Sequence, residues 1–331
     1  MVRKTSLARM AVAGVLVAVC FGFVLGRYTR NGAKTLTART VSVGTMPAET
    51  VPAGTIPAGS NQPPLPQDAV EITDDTHPLG RRASGPLPWE GNQELQALRA
   101  RCGAAFTMGA FQTTLPDPLF GEEENIAQAA RHLAGAVIES GAIFSLDRQL
   151  GPRTKARGYT VGPMYQGNQI LPTVGGGICK IASTLYNVVV LADLPVIERH
   201  PHTMLVPYVP PGQDATISRD TKDLKFRNPH PLPLVIWSQS LNRTLYIAIY
   251  GPVPAPPIRW GHQIFNRVAP PLVRVRNWGL PKGASRTVQD GYDGMDVRSW
   301  VVVAYPDGRN IRKNMSVDYY QAMPRVIEIN P

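Results

Sequence analysis

The segment GGGICKIASTLYNVVVLADLP, residues 175–195, decides how the centre of this chain is built. Three consecutive glycines, Gly175, Gly176 and Gly177, predict a tight turn because glycine adopts backbone conformations that other residues avoid. The apolar run after Cys179 predicts a helix that ends before Pro195. The pattern therefore places Cys179 in the first turn of a helix, directly after a glycine turn.

Three interpretations of this turn are open. A phosphate loop requires Gly-Lys-Ser/Thr, but Lys180 follows a cysteine and precedes Ile181, so nucleotide binding is disfavoured. The glycines and Cys179 can serve packing alone, since buried cysteines are common. Alternatively, the positive end of the helix and the adjacent Lys180 favour a reactive thiolate, and the glycines leave N–H groups free to stabilise an oxyanion.

A nucleophilic thiol needs a base, and ERHPHTM, residues 198–204, offers two. In a strand from Val196 to Met204, Glu198, His200 and His202 would share one face. We expect Asp220 or Asp223 to orient the base, with Asp214 as a weaker candidate.

Other roles for these residues stay open. Both histidines can be partly exposed polar positions, and Cys179 with His200 and His202 can also ligate zinc. In an oxidising compartment Cys179 can instead form a disulfide with Cys102, which would remove the nucleophile. We expect neither a metal nor a cofactor.

The basic charge of the 331-residue chain, +10, is concentrated near the N-terminus. Residues 1–40 hold no acid and these bases: Arg3, Lys4, Arg9, Arg27, Arg30, Lys34 and Arg39. No dense basic face with interleaved aromatic residues follows, so the sequence does not favour a nucleic-acid partner.

The basic residues flank an uncharged stretch, Met10 to Gly26, that predicts a single membrane-spanning anchor. No small-residue cleavage site follows it, which favours retention of the anchor at residues 1–27. A proline-rich spacer occupies residues 28–67 and would hold the bulk of the chain outside the cytoplasm.

The rest of the chain predicts an α+β fold. We expect a poorly defined extension at residues 68–121, a mixed helix and antiparallel-sheet domain at 122–251, and a small β-rich unit at 252–331. A helix should start at Glu122 and continue towards Gly141. The last unit contains a hairpin with Pro306-Asp307-Gly308 at its turn.

A basic loop, GPRTKARGY at residues 151–159, carries Arg153, Lys155 and Arg157. Such a run is usually a solvated surface. With Lys180, it is also our candidate site for an anionic wall polymer or peptide.

Several motifs from Asn125 to about Asn228 together resemble the VanW family of bacterial envelope proteins: NIAQAARHLAG, FSLDRQLGPRTKARGY, GGGICK followed by AST and YN, ERHPHT, YVPPGQDATI and DLKFRN. The resemblance implies an envelope location and a link to peptidoglycan and vancomycin resistance. Lys180 departs from the glutamine expected there. The stretch TVQDGYDGMDVRSWVVVAYPDG is also similar to a small β domain named for its five glycines, which implies binding to cell-wall polymers.

We therefore expect a membrane-anchored protein that acts on or binds peptidoglycan. In the catalytic version Cys179 attacks an amide of the stem peptide, and His200 or His202 transfers the proton. In the alternative version the chain is a non-catalytic module that binds the wall.

Overall fold

The computed structural model describes residues 70–72, 77–166 and 169–331. The predicted anchor at residues 1–27 and spacer at 28–67 lie outside these ranges. Within the described ranges, no helix combines the length and the apolar character needed to cross a membrane.

The secondary structure runs in this order: β1 (Val70–Ile72), β2 (Gly80–Arg82), α1 (Gln93–Cys102), β3 (Phe106–Thr114), α2 (Glu122–Leu133), β4 (Ala136–Ile138), β5 (Ile143–Ser145), α3 (Leu146–Leu150), a 3₁₀ turn (Lys155–Arg157), β6 (Val161–Gln166), β7 (Gln169–Val174), α4 (Cys179–Leu191), β8 (Val196–Glu198), β9 (Lys225–Arg227), β10 (Leu234–Leu241), β11 (Thr244–Gly251), β12 (Ile258–Val268), β13 (Leu272–Arg276), β14 (Ser285–Gln289), β15 (Gly294–Ala304), β16 (Asn310–Tyr320) and β17 (Arg325–Ile329).

A five-stranded antiparallel sheet in the order β2-β3-β11-β10-β4 organises the centre of the fold. Successive side chains of a strand point to opposite faces, so this sheet has two cores. Ile236 and Ile247 lie in the larger core with α2 and α4, whereas Trp237 and Ala248 lie in a smaller core with α1. A sheet covered on both faces explains the near-continuous apolar runs of β10 and β11.

Helix α4 is the central helix, and every residue from Lys180 to Leu191 is buried. It packs on β3 and β11. The helix begins at Cys179, and Asp193 turns the chain away with a positive φ of 54° before Pro195. The prediction of a helix that starts at the glycine turn and ends before Pro195 is confirmed.

Two predicted elements are shorter than expected. Helix α2 begins at Glu122 as predicted but ends at Leu133, because Gly135 adopts a left-handed conformation (φ 80°) and Val137 belongs to β4. Strand β8 ends at Glu198 instead of continuing to Met204. Strand β8 lies at the edge of the sheet β5-β9-β8, and its pairing with β9 is already irregular between Val196 and Glu198; Pro201 cannot donate an N–H to extend it.

The C-terminal strands form two further sheets. One is β1-β12-β15-β16, which contains the predicted hairpin, and the other is β13-β17-β14. Trp260 and Val301 belong to the same hydrophobic core as α4. The described chain is thus sheet-rich with few helices, which agrees with the α+β expectation in outline. The division at residue 252 stays a prediction.

Candidate functional site

One face of α4 is hydrogen-bonded to the segment 213–217. Ser183 donates to the carbonyl of Ala215 (2.9 Å) and accepts from its N–H (3.0 Å), while Asn187 donates to the carbonyl of Gln213 (2.9 Å). These side chains lie four and eight residues after Cys179, so all three project from the same helix face. The segment is therefore fixed alongside the thiol.

Cys179 is a free, partly exposed cysteine at the start of α4. Its Sγ lies 3.2 Å from Thr216 Oγ1 and 3.6 Å from the carbonyl oxygen of Ile217. Cys102, also free, is buried in the smaller core beside α1. The two thiols are not joined in a disulfide.

Asp214 points away from α4 and towards His202. Its Oδ2 accepts the backbone N–H of His202 at 2.7 Å and lies 2.6 Å from Nδ1 of the same residue. His202 also interacts with the Cys179 side chain, and this interaction favours the charged forms of both groups. Cys179, His202 and Asp214 are therefore the candidate nucleophile, base and orienting acid of this site.

The electrostatics of this triad favour charge separation. Burial raises the pKa of the Cys179 thiol, but His202, together with the contacts to Thr216 and Ile217, lowers the pKa to about 7. Burial lowers the pKa of His202, while the hydrogen bond and charge of Asp214, with a contribution from Cys179, raise it to about 9. A thiolate beside an imidazolium is the favoured state between these two values.

Asp214 stays ionised despite its burial. Burial raises the pKa of its carboxyl, but His202, Arg199 and Tyr320 together lower it to about 2. Arg199 Nη2 lies 3.0 Å from Asp214 Oδ1, and the hydroxyl of Tyr320 donates to the same oxygen. Asp214 is thus a carboxylate at neutral pH.

The glycine turn differs from the predicted oxyanion donor set. Gly175 N–H donates to the carbonyl of Thr160 (2.9 Å), and Gly176 N–H donates to that of Thr173 (3.2 Å). Within the described chain, the N–H of Cys179 has no backbone acceptor, as is usual in the first turn of a helix. The N–H groups of Gly177 and Ile178 likewise have no backbone acceptor among the described residues, so Gly177 remains a candidate oxyanion donor beside Cys179, whereas Gly175 and Gly176 are not.

His200 does not join His202 at the thiol. Its Nε2 lies 3.0 Å from Glu198 Oε1, because the early end of β8 breaks the strand alternation that would have aligned the two rings. Among the described residues, no group of three or more His, Cys, Asp and Glu side chains is arranged to hold a metal. The structure thus separates the residues of the alternative zinc site.

Asp220 and Asp223 are not the partners of His202, contrary to the sequence expectation. Asp220 is exposed and pairs with Arg219 at 3.4 Å. Asp223 is buried, and its carboxylate accepts from Ser145 Oγ (2.5 Å) and from the N–H of Asp147 (2.8 Å). Both residues line a separate cavity of about 480 Å³, whose lining does not include Cys179, His202 or Asp214.

This cavity carries charges of both signs. Its charged lining residues are Asp147, Arg148, Glu198, Arg219, Asp220, Lys222, Asp223 and Lys225. Glu198 Oε2 pairs with Lys225 Nζ at 2.7 Å. Lys222 has no carboxylate within salt-bridge distance among the described residues. Its ammonium is therefore available to a ligand, whereas the charge of Lys225 is paired with Glu198.

Lys180 has a structural environment that the sequence did not predict. It is 1% exposed, and its Nζ donates to the carbonyl of Thr114 (2.8 Å) and lies 4.9 Å from the ring centroid of Tyr208. Burial lowers the pKa of its ammonium to about 7, against the opposing charge of Glu122. Lys180 is therefore not available to a wall polymer.

Two basic side chains of the loop at residues 151–159 bond to other residues of the protein. Arg153 pairs with Asp147, and Arg157 donates to the carbonyl of Leu150 at 3.0 Å. Lys155 is exposed. Of the three basic side chains of this loop, Lys155 is therefore the one that is exposed to solvent.

The sequence interpretation ranked Asp214 low and missed Arg199 and Tyr320. The available signal was local: Asp214 follows Pro-Pro-Gly-Gln, a turn, and Arg199 directly precedes His200, the first of the two histidine candidates. Nothing in the sequence pattern connects either residue with Tyr320.

Comparison with known proteins identifies the segment that carries this site. A family profile described as VanW like protein matches residues 121–250. The chain is 34% identical over 144 residues to the protein YoaR of Bacillus subtilis (strain 168), which is described as uncharacterized; the match covers 44% of this chain and 48% of that protein. It is 31% identical over 118 residues to the vancomycin B-type resistance protein VanW of Enterococcus faecalis (strain ATCC 700802 / V583), covering 34% of this chain and 43% of that protein. The chain thus spans under half the length of these curated relatives.

Proposed function

Residues 121–250 belong to the VanW family, a family linked to vancomycin resistance, and from this premise we propose that the chain is a cell-envelope enzyme that cleaves or exchanges an amide bond of peptidoglycan through Cys179. The observation that carries the proposal is the triad of Cys179, His202 and Asp214. The apolar stretch Met10–Gly26 supports attachment to the membrane.

The proposed reaction is an acyl transfer. The Cys179 thiolate attacks the amide carbonyl carbon, and the N–H of Cys179 donates to the oxygen that becomes negatively charged. His202 transfers its proton to the leaving nitrogen as the C–N bond breaks, which gives a thioester and a free amine. Water or an acceptor amine then attacks the thioester, loses its proton to His202 and releases Cys179 as the thiolate.

The separate cavity supports a peptide as the substrate. Stem peptides carry both carboxylates and amines, and the lining of the cavity has charges of both signs. The segment that contacts the thiol, Thr216 and Ile217, continues directly into the loop Arg219–Lys222 that lines this cavity. A peptide bound in the cavity would therefore lie along the loop that leads to Cys179.

The test is amide cleavage by the full-length chain in detergent, with soluble peptidoglycan fragments as the substrate and mass spectrometry of the products. Hydroxylamine added to the reaction should trap the thioester as a hydroxamate. We expect both products with the wild-type chain and with Cys102→Ser, and neither with Cys179→Ser. Equal rates in the Cys179→Ser variant would refute the proposal.

A second function, binding to an anionic wall polymer, is favoured by the sheet β13-β17-β14. Arg274, Arg276 and Arg325 lie on one face of this sheet by their register, and all three are exposed. No carboxylate of the described chain lies within salt-bridge distance of these three guanidiniums. Replacing Arg274 and Arg276 by Gln should weaken sedimentation with cell walls, whereas Arg101→Gln on α1 should not.

A further inference from the structure

The His202–Asp214 pair has neighbours far outside the matched segment. We propose that Tyr320 is a positioning residue for this pair, supported by Asp318, so that strand β16 belongs to the reaction centre. The inference rests on the proposed function and deepens it. It implies that the matched segment alone does not contain the complete site.

The direction of the Tyr320 hydrogen bond is fixed by its two partners. The N–H of Gly212 donates to the Tyr320 hydroxyl at 2.9 Å, and an N–H can only donate. The other partner, Oδ1 of Asp214, is an ionised carboxylate oxygen and can only accept. The single hydroxyl proton of Tyr320 therefore points to Asp214, and its 4% exposure leaves little room for competing water.

Arg199 links the same carboxylate to strand β16. Its Nε donates to the backbone carbonyl of Asp214 (2.7 Å), and its Nη2 reaches Asp214 Oδ1 (3.0 Å). Its Nη1 lies 2.6 and 2.7 Å from the two carboxylate oxygens of Asp318. Asp318 thus fixes the guanidinium of Arg199. That guanidinium in turn bonds to both the side chain and the backbone carbonyl of Asp214.

The two carboxylate oxygens of Asp214 contact different partners. Oδ1 receives Tyr320 and Arg199, whereas Oδ2 is left for the backbone N–H and Nδ1 of His202. A carboxylate held on one oxygen cannot rotate freely about its last torsion. The imidazole is therefore held in the tautomer and orientation in which it interacts with Cys179.

A purely structural role would make a different prediction. A hydrogen bond that only stabilises the fold changes the melting temperature when it is lost, but it leaves the titration of Cys179 unchanged. A positioning role changes that titration. The other charged or titratable groups that face the pair are Cys179, Tyr186, Arg199, Tyr208 and Asp318, and all are retained in the test variant.

The experiment compares Tyr320→Phe with Tyr319→Phe in the full-length chain in detergent. Tyr319 is the adjacent residue of β16 and is 67% exposed, so it is a matched control. The readout is the rate of alkylation of Cys179 by iodoacetamide against pH, measured by peptide mass mapping. We expect Tyr320→Phe to shift the midpoint upward and to slow alkylation at pH 7 about threefold, as the loss of one ordinary hydrogen bond would do.

The possible outcomes separate this inference from the proposed function. A folded Tyr320→Phe variant with the wild-type midpoint overturns the positioning role. An ordinary thiol midpoint in the wild-type chain overturns the proposed function instead. If Tyr320→Phe does not fold, Asp318→Asn makes the same test through Arg199, and a folded Asp318→Asn variant with an unchanged midpoint overturns the proposal.

Discussion

Oδ2 of Asp214 lies 2.6 Å from Nδ1 of His202, and the same oxygen accepts the backbone N–H of His202. Two bonds to one residue fix the imidazole ring relative to its own backbone. The carboxylate is 2% exposed and the imidazole 15% exposed, so the contact is only weakly screened by solvent. We propose that this pair stabilises the thiolate of Cys179.

Replacing Asp214 by Asn should therefore weaken the thiolate. Without the carboxylate, the imidazolium of His202 is less stable, and the pKa of the Cys179 thiol should rise by about one unit. Alkylation at pH 7 should then slow by about fivefold, because a smaller fraction of the thiol is ionised. Asp220→Asn is the control, since Asp220 is 81% exposed and pairs with Arg219. Equal slowing in both variants would contradict the assignment of Asp214.

The pH dependence of amide cleavage should be bell-shaped. The active form needs the thiolate, which appears as pH rises through about 7, and the imidazolium, which disappears as pH rises through about 9. Because Cys179 and His202 interact, these two pKa values describe the thiol and the imidazole together. The measurement is kcat/KM from pH 5 to 10 with soluble peptidoglycan fragments. A rate that keeps rising from pH 9 to pH 10 would show that the imidazolium is not required.

Replacing Lys180 by Met should stabilise the fold at neutral pH. Burial lowers the pKa of Lys180 to about 7 in the folded chain, whereas the unfolded value is about 10.4, so the unfolded state binds more protons between these values. The contribution of Lys180 to stability therefore increases as pH rises from about 7 to about 10. The advantage of Lys180→Met should be largest near pH 7 and shrink by up to about 1.4 kcal/mol per pH unit above it.

Denaturant unfolding of both chains at several pH values measures this difference. The Lys282→Met variant is the control, because Lys282 is exposed. A gap between wild type and Lys180→Met that stays constant from pH 7 to 9.5 would mean that Lys180 keeps an ordinary pKa.

Replacing Gly177 by Ala should destabilise the chain beyond the effect of its backbone conformation. Gly177 has a φ of 89°, and an added Cβ would lie 2.5 Å from Cγ of Glu122. The left-handed conformation costs about 1 kcal/mol for alanine, and overpacking adds about 1–3 kcal/mol. Gly283→Ala is the matched control, since Gly283 has a φ of 75° and open space around it.

The comparison of the two glycine variants isolates the steric contact with Glu122. Denaturant unfolding should show a larger loss for Gly177→Ala than for Gly283→Ala. Equal losses would indicate that Glu122 moves aside without cost.

Sequence periodicity alone determined the main elements near the site. The glycine turn and the apolar run predicted α4, and the turn Pro306-Asp307-Gly308 predicted the hairpin of β15 and β16. These predictions depend on neighbouring residues, because helix starts, strand alternation and tight turns are properties of short segments. The motif around Cys179 likewise identified the residue at the centre of the candidate site.

Only the tertiary structure decided which side chains meet. Asp214 was selected over Asp220 and Asp223 because its neighbours Gln213 and Ala215 are bound to α4, which turns Asp214 towards His202. Lys180 points into the core towards Thr114, although it adjoins Cys179 in sequence. Tyr320 reaches Asp214 across 106 residues of chain. Such contacts depend on how distant strands and loops pack, and no local pattern of residues encodes them.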